Sequence, residues 1–254
     1  GHIENALSTA RMALEVKQSI GDTLGQAHAH LILAMCMRRT HRIDNAKQHV
    51  LRSRTLNERL GHVYGIAKAV LVQAEIAWVS GVIGESFEPL RDARKLHKEI
   101  GDAHGLVITL LHEALCRVEI GEADASRECL EEAMALIEES VANASARIRF
   151  MRVAFGLASP GQTIGRREIV GILDDLARGG RIRYDWTTRD DCDRAAVQEI
   201  FLAALCLEAA MPRGGRISIA RDNGNWAVSA GADLSRPDPA LWQMLKGERG
   251  LAET

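Results

Sequence analysis

The amino-acid sequence predicts a mainly α protein in which a superhelix of repeated helical hairpins is followed by a smaller α+β domain. Glycine phrases recur at a constant spacing in the N-terminal half, and a stretch without proline or glycine follows them. Hydrophobic residues make up 46% of the chain but aromatic residues only 4%, which favours closely packed helices with small aliphatic side chains. We expect repeats over residues 1–124, a long connecting helix over 125–156 and an α+β domain over 157–254.

The repeat is visible in three phrases, IGDTLG, LGHVYG and IGDAHG, which begin at residues 20, 60 and 100. Other positions keep the same period of 40 residues. Alanines at these positions let two helices approach closely, and leucines fill the groove to the next pair. A period of this length predicts stacked helical hairpins. The recurring residues are Ala34, Ala74 and Ala114, and Leu56, Leu96 and Leu136.

On these phrases and small residues, the segment from Ile3 to Ser140 resembles tetratricopeptide repeats, in the longer form found in MalT-like regulators and related signalling adaptors. The resemblance implies that the array binds a peptide or protein partner on its concave face. The alternative is a helical spacer without a ligand.

A single long helix is predicted from Ala125 to Phe155, because this stretch has no helix breaker. Its apolar residues follow roughly the 3.6-residue period of a buried stripe. At about 1.5 Å per residue the helix would be roughly 45 Å long, so we expect a second helix alongside it and therefore a homodimer. The stripe consists of Leu130, Ala133, Met134, Ile137, Val141, Ala144, Ile148, Met151 and Val153.

Alternating helix and strand patterns follow the long helix. A loop is predicted over residues 157–165 from its Ser, Pro and Gly content. Two strands should flank Asp222-Asn223-Gly224-Asn225, a strong hairpin signal. The predicted elements are helices Arg166–Arg178, Asp193–Met211 and Asp238–Lys246, and strands Arg181–Trp186, Arg216–Ala220 and Trp226–Ala230.

From about Leu136 to its end the chain is similar to the Bergerat-type ATP-binding fold of histidine kinases. Its sequence motifs are more similar still to those of phosphorelay histidine phosphotransferases of the ChpT type. Four phrases carry the resemblance: ASARIRFMRVAFG, GGRIRYDW, AAMPRGGRISI and LSRPDPALWQMLKGE. It implies transfer of a phosphoryl group between aspartates of two receiver domains, through a histidine on a dimeric two-helix hairpin. The kinase-like domain of that family no longer binds nucleotide and helps to dock receivers.

The sequence departs from an active kinase in two places. Leu202 and Cys206 stand where asparagines would hold Mg²⁺, and neither offers an oxygen ligand. Residues 229–233 have the sequence SAGAD in place of the nucleotide-binding motif Asp-x-Gly-x-Gly. We therefore expect a degenerate domain with no cofactor and no metal of its own, Mg²⁺ being supplied by the receiver. Because the chain ends before a final strand and helix that the family would have, we also expect an unpaired sheet edge.

The candidate phosphoacceptor is His112, with Glu113 as the acid that orients its ring. Two observations oppose this role. The family's Ser-Pro is replaced by Arg117-Val118, and the counterparts of His112 in the earlier repeats are apolar, Val72 and Ile32. A core histidine with satisfied hydrogen bonds is the alternative interpretation. His104, the other candidate, is followed by a glycine and is interpreted as a loop residue.

Three arginines, Arg147, Arg149 and Arg152, are candidates for binding the acidic surface of a receiver domain. The alternative is a solvated face of the long helix. A net charge of -2 argues against a general nucleic-acid or membrane surface. The five cysteines show no CxxC pattern, and no apolar run approaches about 18 residues, so we expect a cytoplasmic protein.

Together these features predict a two-component phosphorelay protein that is histidine-phosphotransferase-like. It would dock receiver domains and bind a protein partner through its repeats, and ATP-dependent kinase activity is not expected. The alternative is a non-enzymatic adaptor that only binds proteins.

Overall fold

The computed structural model describes residues 2–222 and 224–231, and it confirms a mainly α protein with a small α+β part. The chain divides into two compact units, 1–138 and 139–254, which we call the N-terminal and the C-terminal unit. No described helix is long and apolar enough to cross a membrane. The helices are α1 (His2–Ser19), α2 (Thr23–Arg39), α3 (Ile43–Arg59), α4 (Val63–Val79), α5 (Phe87–Glu99), α6 (Ala103–Glu119), α7 (Ala123–Ala154), α8 (Arg166–Arg178) and α9 (Arg194–Ala210).

The N-terminal unit consists of helices α1 to α6 and the beginning of α7, joined by short turns. Each turn contains a residue with a left-handed backbone, and these residues recur every 20 residues, which is half the period of the glycine phrases. Glycine is the favoured residue at this helix-ending position because it lacks a Cβ. The positions are Gly21, His41, Gly61, Gly81, Gly101 and Gly121. A short 3₁₀ helix, Ile83–Ser86, precedes α5.

The last glycine of each phrase lies against a polar pair that joins two helices. Asp102 caps α6 by accepting a hydrogen bond from the backbone N–H of Gly105 at 3.0 Å. Its other carboxylate oxygen lies 3.0 Å from Nδ1 of His97 on α5. A Cβ at Gly105 would collide with both side chains. Lys17 pairs with Asp22 beside Gly25, and Asn57 pairs with His62 beside Gly65. Asp22 also caps α2, whereas His62 makes no side-chain cap, so the polar pair recurs in all three phrases and the cap in two of them.

Small hydroxyl groups also join the two helices of a pair. The hydroxyl of Ser86 donates to the carbonyl of Ala74, and that of Ser126 donates to the carbonyl of Ala114, 40 residues further on. Both serines are buried. The recurring alanines thus mark places where helices are close enough for a side chain to reach the neighbouring backbone.

A buried histidine pair should make the stability of the N-terminal unit depend on pH. His30 on α2 and His49 on α3 place their Nδ1 atoms 2.8 Å apart. Burial, together with His49 and Arg52, lowers the pKa of His30 to about 4. Burial, together with Arg52 and Arg11, also lowers the pKa of His49.

Because both folded pKa values lie below the unfolded value near 6.5, the unfolded chain binds more protons on acidification. The full free energy of unfolding should be present above pH 6.5, and it should fall by about 1–2 kcal/mol as the pH is lowered towards 4. Urea unfolding across this range, followed by hydrogen exchange in α2 and α3, measures the effect. In His49→Gln the dependence should flatten, and an unchanged slope would contradict the assignment.

The described part of the C-terminal unit contains the end of α7, helices α8 and α9 and five short strands. In the larger sheet β2 (Ile182–Trp186) pairs parallel with β4 (Gly215–Asp222), which pairs antiparallel with β5 (Asn225–Gly231). A second, two-residue pairing joins β1 (Thr163–Ile164) to β3 (Cys192–Asp193). Helices and sheet enclose one core, in which Phe150 of α7 stacks on Phe201 of α9 with ring centroids 4.4 Å apart.

Most predicted elements are confirmed to within a few residues. They include the long helix, both helices that follow it and the hairpin of β4 and β5. The β1–β3 pairing was not predicted, because strands of only two residues leave no alternating pattern in the sequence. The predicted helix Asp238–Lys246 lies outside the described residues.

Much of the apolar stripe predicted along α7 is exposed in the single chain. Met134, Val141 and Ile148 are each about 60% exposed, and Leu130 and Ile137 are more than 40% exposed. Ala133 and Val153 are buried, because they lie on a neighbouring side of the helix that faces its own unit.

Candidate functional site

His112 lies on α6 and both of its ring nitrogens have partners in the N-terminal unit. Nδ1 donates to the backbone carbonyl of Ile108, one helical turn earlier, at 2.9 Å. Nε2 lies 3.1 Å from Oε1 of Glu75 on α4. The ring also meets the edge of the Trp78 ring, with centroids 6.4 Å apart. Nε2 therefore faces a carboxylate in this arrangement, and its lone pair is not directed at solvent.

Glu75 connects His112 to a third helix. Its second oxygen, Oε2, accepts an ion-paired hydrogen bond from Arg38 of α2 at 2.9 Å. The side chains of Arg38, Glu75 and His112 are only 14%, 10% and 22% exposed. We call this row of contacts across α2, α4 and α6 the Arg38–Glu75–His112 network.

Glu113 does not contact the ring of His112. Its carboxylate accepts hydrogen bonds from Arg117 at 2.8 and 3.1 Å and from Arg94 of α5 at 3.4 Å. The reason is helical phase, since consecutive residues of an α-helix point about 100° apart. The carboxylate beside the imidazole is that of Glu75.

The sequence contains a signal for this network that the 40-residue period does not reveal. Glu75 is the only acidic residue of α4, and it stands 37 residues after Arg38 and 37 residues before His112. The separation of 37 residues equals the 40-residue repeat minus about one helical turn. Helices α2, α4 and α6 are the first helices of successive pairs, and this separation places the three side chains side by side on them. Charged residues of opposite sign at this separation predict such an ion pair.

The three candidate arginines of α7 have different surroundings. Arg147 donates to Oε2 of Glu208 on α9 at 2.9 Å. Arg149 pairs with Asp175 on α8. The guanidinium group of Arg152 has no hydrogen bond or ion pair to any described residue. The predicted basic stripe is thus divided, with two of its three charges neutralised by acids of the C-terminal unit.

A cleft of about 410 Å³ surrounds the contact of Arg147 with Glu208. The hydroxyl of Tyr184 donates to the other oxygen of Glu208, and burial together with this carboxylate raises the pKa of Tyr184. Asn143 fits beside Gly179 because a Cβ there would collide with its amide. Both oxygens of Glu208 are therefore occupied, so this carboxylate serves to hold α7, α9 and β2 together.

The positions expected to bind nucleotide in an active kinase have no such chemistry here. Leu202 and Cys206 are half-buried on α9, and Leu202 packs against the core of the unit. Residues 229–231 belong to strand β5, while Ala232 and Asp233 lie outside the described residues. Within the described ranges, no group of three or more His, Cys, Asp or Glu side chains is placed to hold a metal ion.

Residues 166–253 match the family model described as histidine phosphotransferase C-terminal domain. The C-terminal part of the chain is thus similar to a phosphorelay phosphotransferase. The curated protein phosphotransferase ChpT of Brucella abortus (strain 2308) is 34% identical over 91 residues, which is 35% of this chain and 44% of that protein. The chain therefore spans less than half the length of that relative.

A solved structure, "1.7 Angstrom Structure of a Bacterial Phosphotransferase", is 24% identical, with a TM-score of 0.39. It covers 68% of this chain and 78% of its own chain. The family match leaves the N-terminal unit outside its range.

Proposed function

We propose that this chain is a cytoplasmic two-component phosphorelay protein, histidine-phosphotransferase-like, that docks response-regulator receiver domains with its C-terminal unit. The observation that carries the proposal is the match of residues 166–253 to the histidine phosphotransferase C-terminal domain. The identity of 34% to ChpT over 91 residues supports it. Receiver domains are the partners that a ChpT-like phosphotransferase would have.

We further propose that the N-terminal unit is a tetratricopeptide-like array that binds a peptide or protein. The 20-residue period of its turns and the repeated polar pairs support this class of repeat. On α6, Leu111, Leu115 and Val118 are 40%, 48% and 60% exposed, and their spacing places them on one face. An apolar face of this kind suits a protein ligand.

His112 remains our proposed phosphoacceptor, with Glu75 and not Glu113 as the acid beside its ring, and its contacts define what transfer requires. The nitrogen that accepts a phosphoryl group must present a lone pair to the phosphorus, but Nε2 faces Glu75. Transfer would need the contact between Nε2 and the carboxylate of Glu75 to open. If the contact does not open, the chain is the non-enzymatic adaptor, which binds receivers without becoming phosphorylated.

The deciding experiment is phosphoryl transfer from a receiver domain that carries a ³²P-labelled aspartyl phosphate to the purified chain. His112→Ala is compared with His104→Ala, which removes an exposed histidine of the same helix. The interpretation of His104 as a loop residue is wrong, because it lies in the first turn of α6. Acid-labile label that only His112→Ala abolishes would support the phosphotransferase. Receiver binding without label in any variant would establish the adaptor, and absence of both would refute the proposal.

A homodimer formed along α7 is the third part of the proposal. Apolar residues occur along α7 at alternating separations of four and three residues, which is the heptad spacing of a coiled-coil seam. Many of them are exposed in the single chain. A second copy of α7 supplies the same seam and would cover it. The positions are Leu130, Met134, Ile137, Val141, Ala144, Ile148, Met151 and Phe155.

Val141→Asp should convert this dimer to a monomer, because a carboxylate in an apolar seam would lose its water. The dissociation constant should rise on the order of 100-fold, as measured by sedimentation equilibrium. Ala142→Asp is the matched control, since it adds the same charge to the next, exposed position outside the seam. A monomeric parent chain at high concentration would contradict the prediction.

A further inference from the structure

A second cleft of the C-terminal unit is surrounded by positive charge. Its volume is about 450 Å³, and it lies between the end of α7 and the first turns of α8 and α9. Four arginines line it, together with one acid, Glu168, and the apolar side chains Val153 and Ile172. We call it the arginine cleft. The arginines are Arg149, Arg152, Arg167 and Arg194.

Two of these guanidinium groups are held in place by the fold. Arg194 donates to the carbonyls of Arg152 and Leu157 at the end of α7, at 3.2 and 3.4 Å. Its charge is thus fixed beside the cleft, and no carboxylate of the described residues pairs with it. Arg149 is paired with Asp175.

The other two guanidinium groups, those of Arg152 and Arg167, form no hydrogen bond or ion pair with any described residue. Both side chains are exposed and line the same concave surface. Glu168 is the only carboxylate among those lining residues that the structure describes. Two available guanidinium groups and a third fixed one therefore face an opening with a single opposing charge, which favours an anion with several oxygens.

The floor of the cleft is open at Gly171, in the middle of α8. A Cβ at this residue would meet nothing within 4 Å. Glycine in a helix interior costs about 0.5–1 kcal/mol relative to alanine, and at Gly171 no neighbouring atom requires it. Its effect is to leave space in which a ligand can approach the helix backbone.

We propose that the arginine cleft binds a small, multiply phosphorylated anion. Arginine recognises phosphate oxygens through pairs of parallel N–H donors, and three guanidinium groups can surround adjacent phosphates. None of the described residues that line the cleft is aromatic, so the proposal assigns recognition to the phosphates and not to stacking on a nucleobase. This binding site goes beyond the proposed docking of receivers and does not depend on it.

The test uses inorganic tripolyphosphate as the probe, with titration calorimetry on the full chain at constant ionic strength. We expect saturable binding with one site per chain, and sulfate at equal ionic strength should not replace it. Arg152→Gln combined with Arg167→Gln should weaken binding by roughly tenfold per guanidinium removed. Gly171→Glu should abolish binding, because it places a carboxylate in the opening while improving helix propensity.

Arg213→Gln is the control, since it removes one exposed arginine beyond the opposite end of α9. Unchanged affinity in this variant, with loss in the cleft variants, would support the site. Equal loss in all variants would overturn it, because the binding would then follow net charge. Loss of receiver binding in the cleft variants, with no tripolyphosphate binding by the parent chain, would also overturn it and assign these arginines to receiver docking.

Discussion

Replacing Glu75 by alanine is expected to lower the free energy of unfolding of the N-terminal unit by about 3 kcal/mol. The carboxylate lies between Arg38 and His112, at 2.9 and 3.1 Å, and is itself only 10% exposed. Removing one member of a buried ion pair leaves the other charge without a partner, which costs about 3–5 kcal/mol in fully buried pairs. Because these side chains retain some exposure, the lower end of that range applies. Hydrogen exchange of the α4 amides measures the loss.

Glu58→Ala provides the matched comparison. Glu58 pairs with Arg54 on the surface of α3, with exposures of 46% and 36%, so its removal should cost less than about 1 kcal/mol. Glu75→Gln should lie between the two, because the amide oxygen can still accept one hydrogen bond. A cost for Glu75→Ala no greater than that for Glu58→Ala would show that the Arg38–Glu75–His112 network does not stabilise the unit.

The same variants bear on the role of His112. If Nε2 accepts a phosphoryl group, Glu75→Gln should change the rate of transfer, because it alters the group that faces this nitrogen. If His112 only stabilises the array, Glu75→Gln and His112→Ala should lower stability without affecting receiver binding. Stability and transfer measured on the same proteins therefore separate the two roles.

The local signals in the sequence were sufficient for the helices and their pairing. Glycine phrases and small residues at a period of 40 predict hairpins because capping and close approach depend on residues near each turn. The partner of His112 could not be found in the same way. Glu113 is adjacent in sequence, but the partner, Glu75, lies on another helix, where lateral register decides the contact. Only the equal separations of 37 residues carry that information.

The apolar stripe of α7 shows a second limit. Periodicity shows that a helix has an apolar face and gives no information on what covers that face. Met134 and Ala133 are neighbours in the predicted stripe, yet their exposures are 60% and 1%. The arginine cleft was not predicted for a related reason. Its arginines come from three helices, and only the packing of the C-terminal unit brings them together.

Phe150→Ala is expected to destabilise the C-terminal unit by about 3–5 kcal/mol, the usual cost of deleting a large buried aromatic side chain. Phe150 is fully buried, and its ring lies nearly parallel to that of Phe201, with an interplanar angle of 5°. The stack fixes the second half of α7 against α9 in the core of the unit. Hydrogen exchange of the α9 amides should therefore speed up strongly.

Phe155→Ala is the control, since it deletes the same side chain just beyond the end of the same helix at a position that is 66% exposed. It should change stability by less than about 0.5 kcal/mol at concentrations where the chain is monomeric. Phe201→Ala combined with Phe150→Ala should cost less than the sum of the single variants, because both delete one shared contact. Additive costs for Phe150→Ala and Phe201→Ala would mean that the two rings contribute through separate contacts, and α7 would then be held to α9 by other residues.

Because the arginine cleft lies between α7, α8 and α9, Phe150→Ala should also weaken tripolyphosphate binding, whereas Phe155→Ala should leave it unchanged.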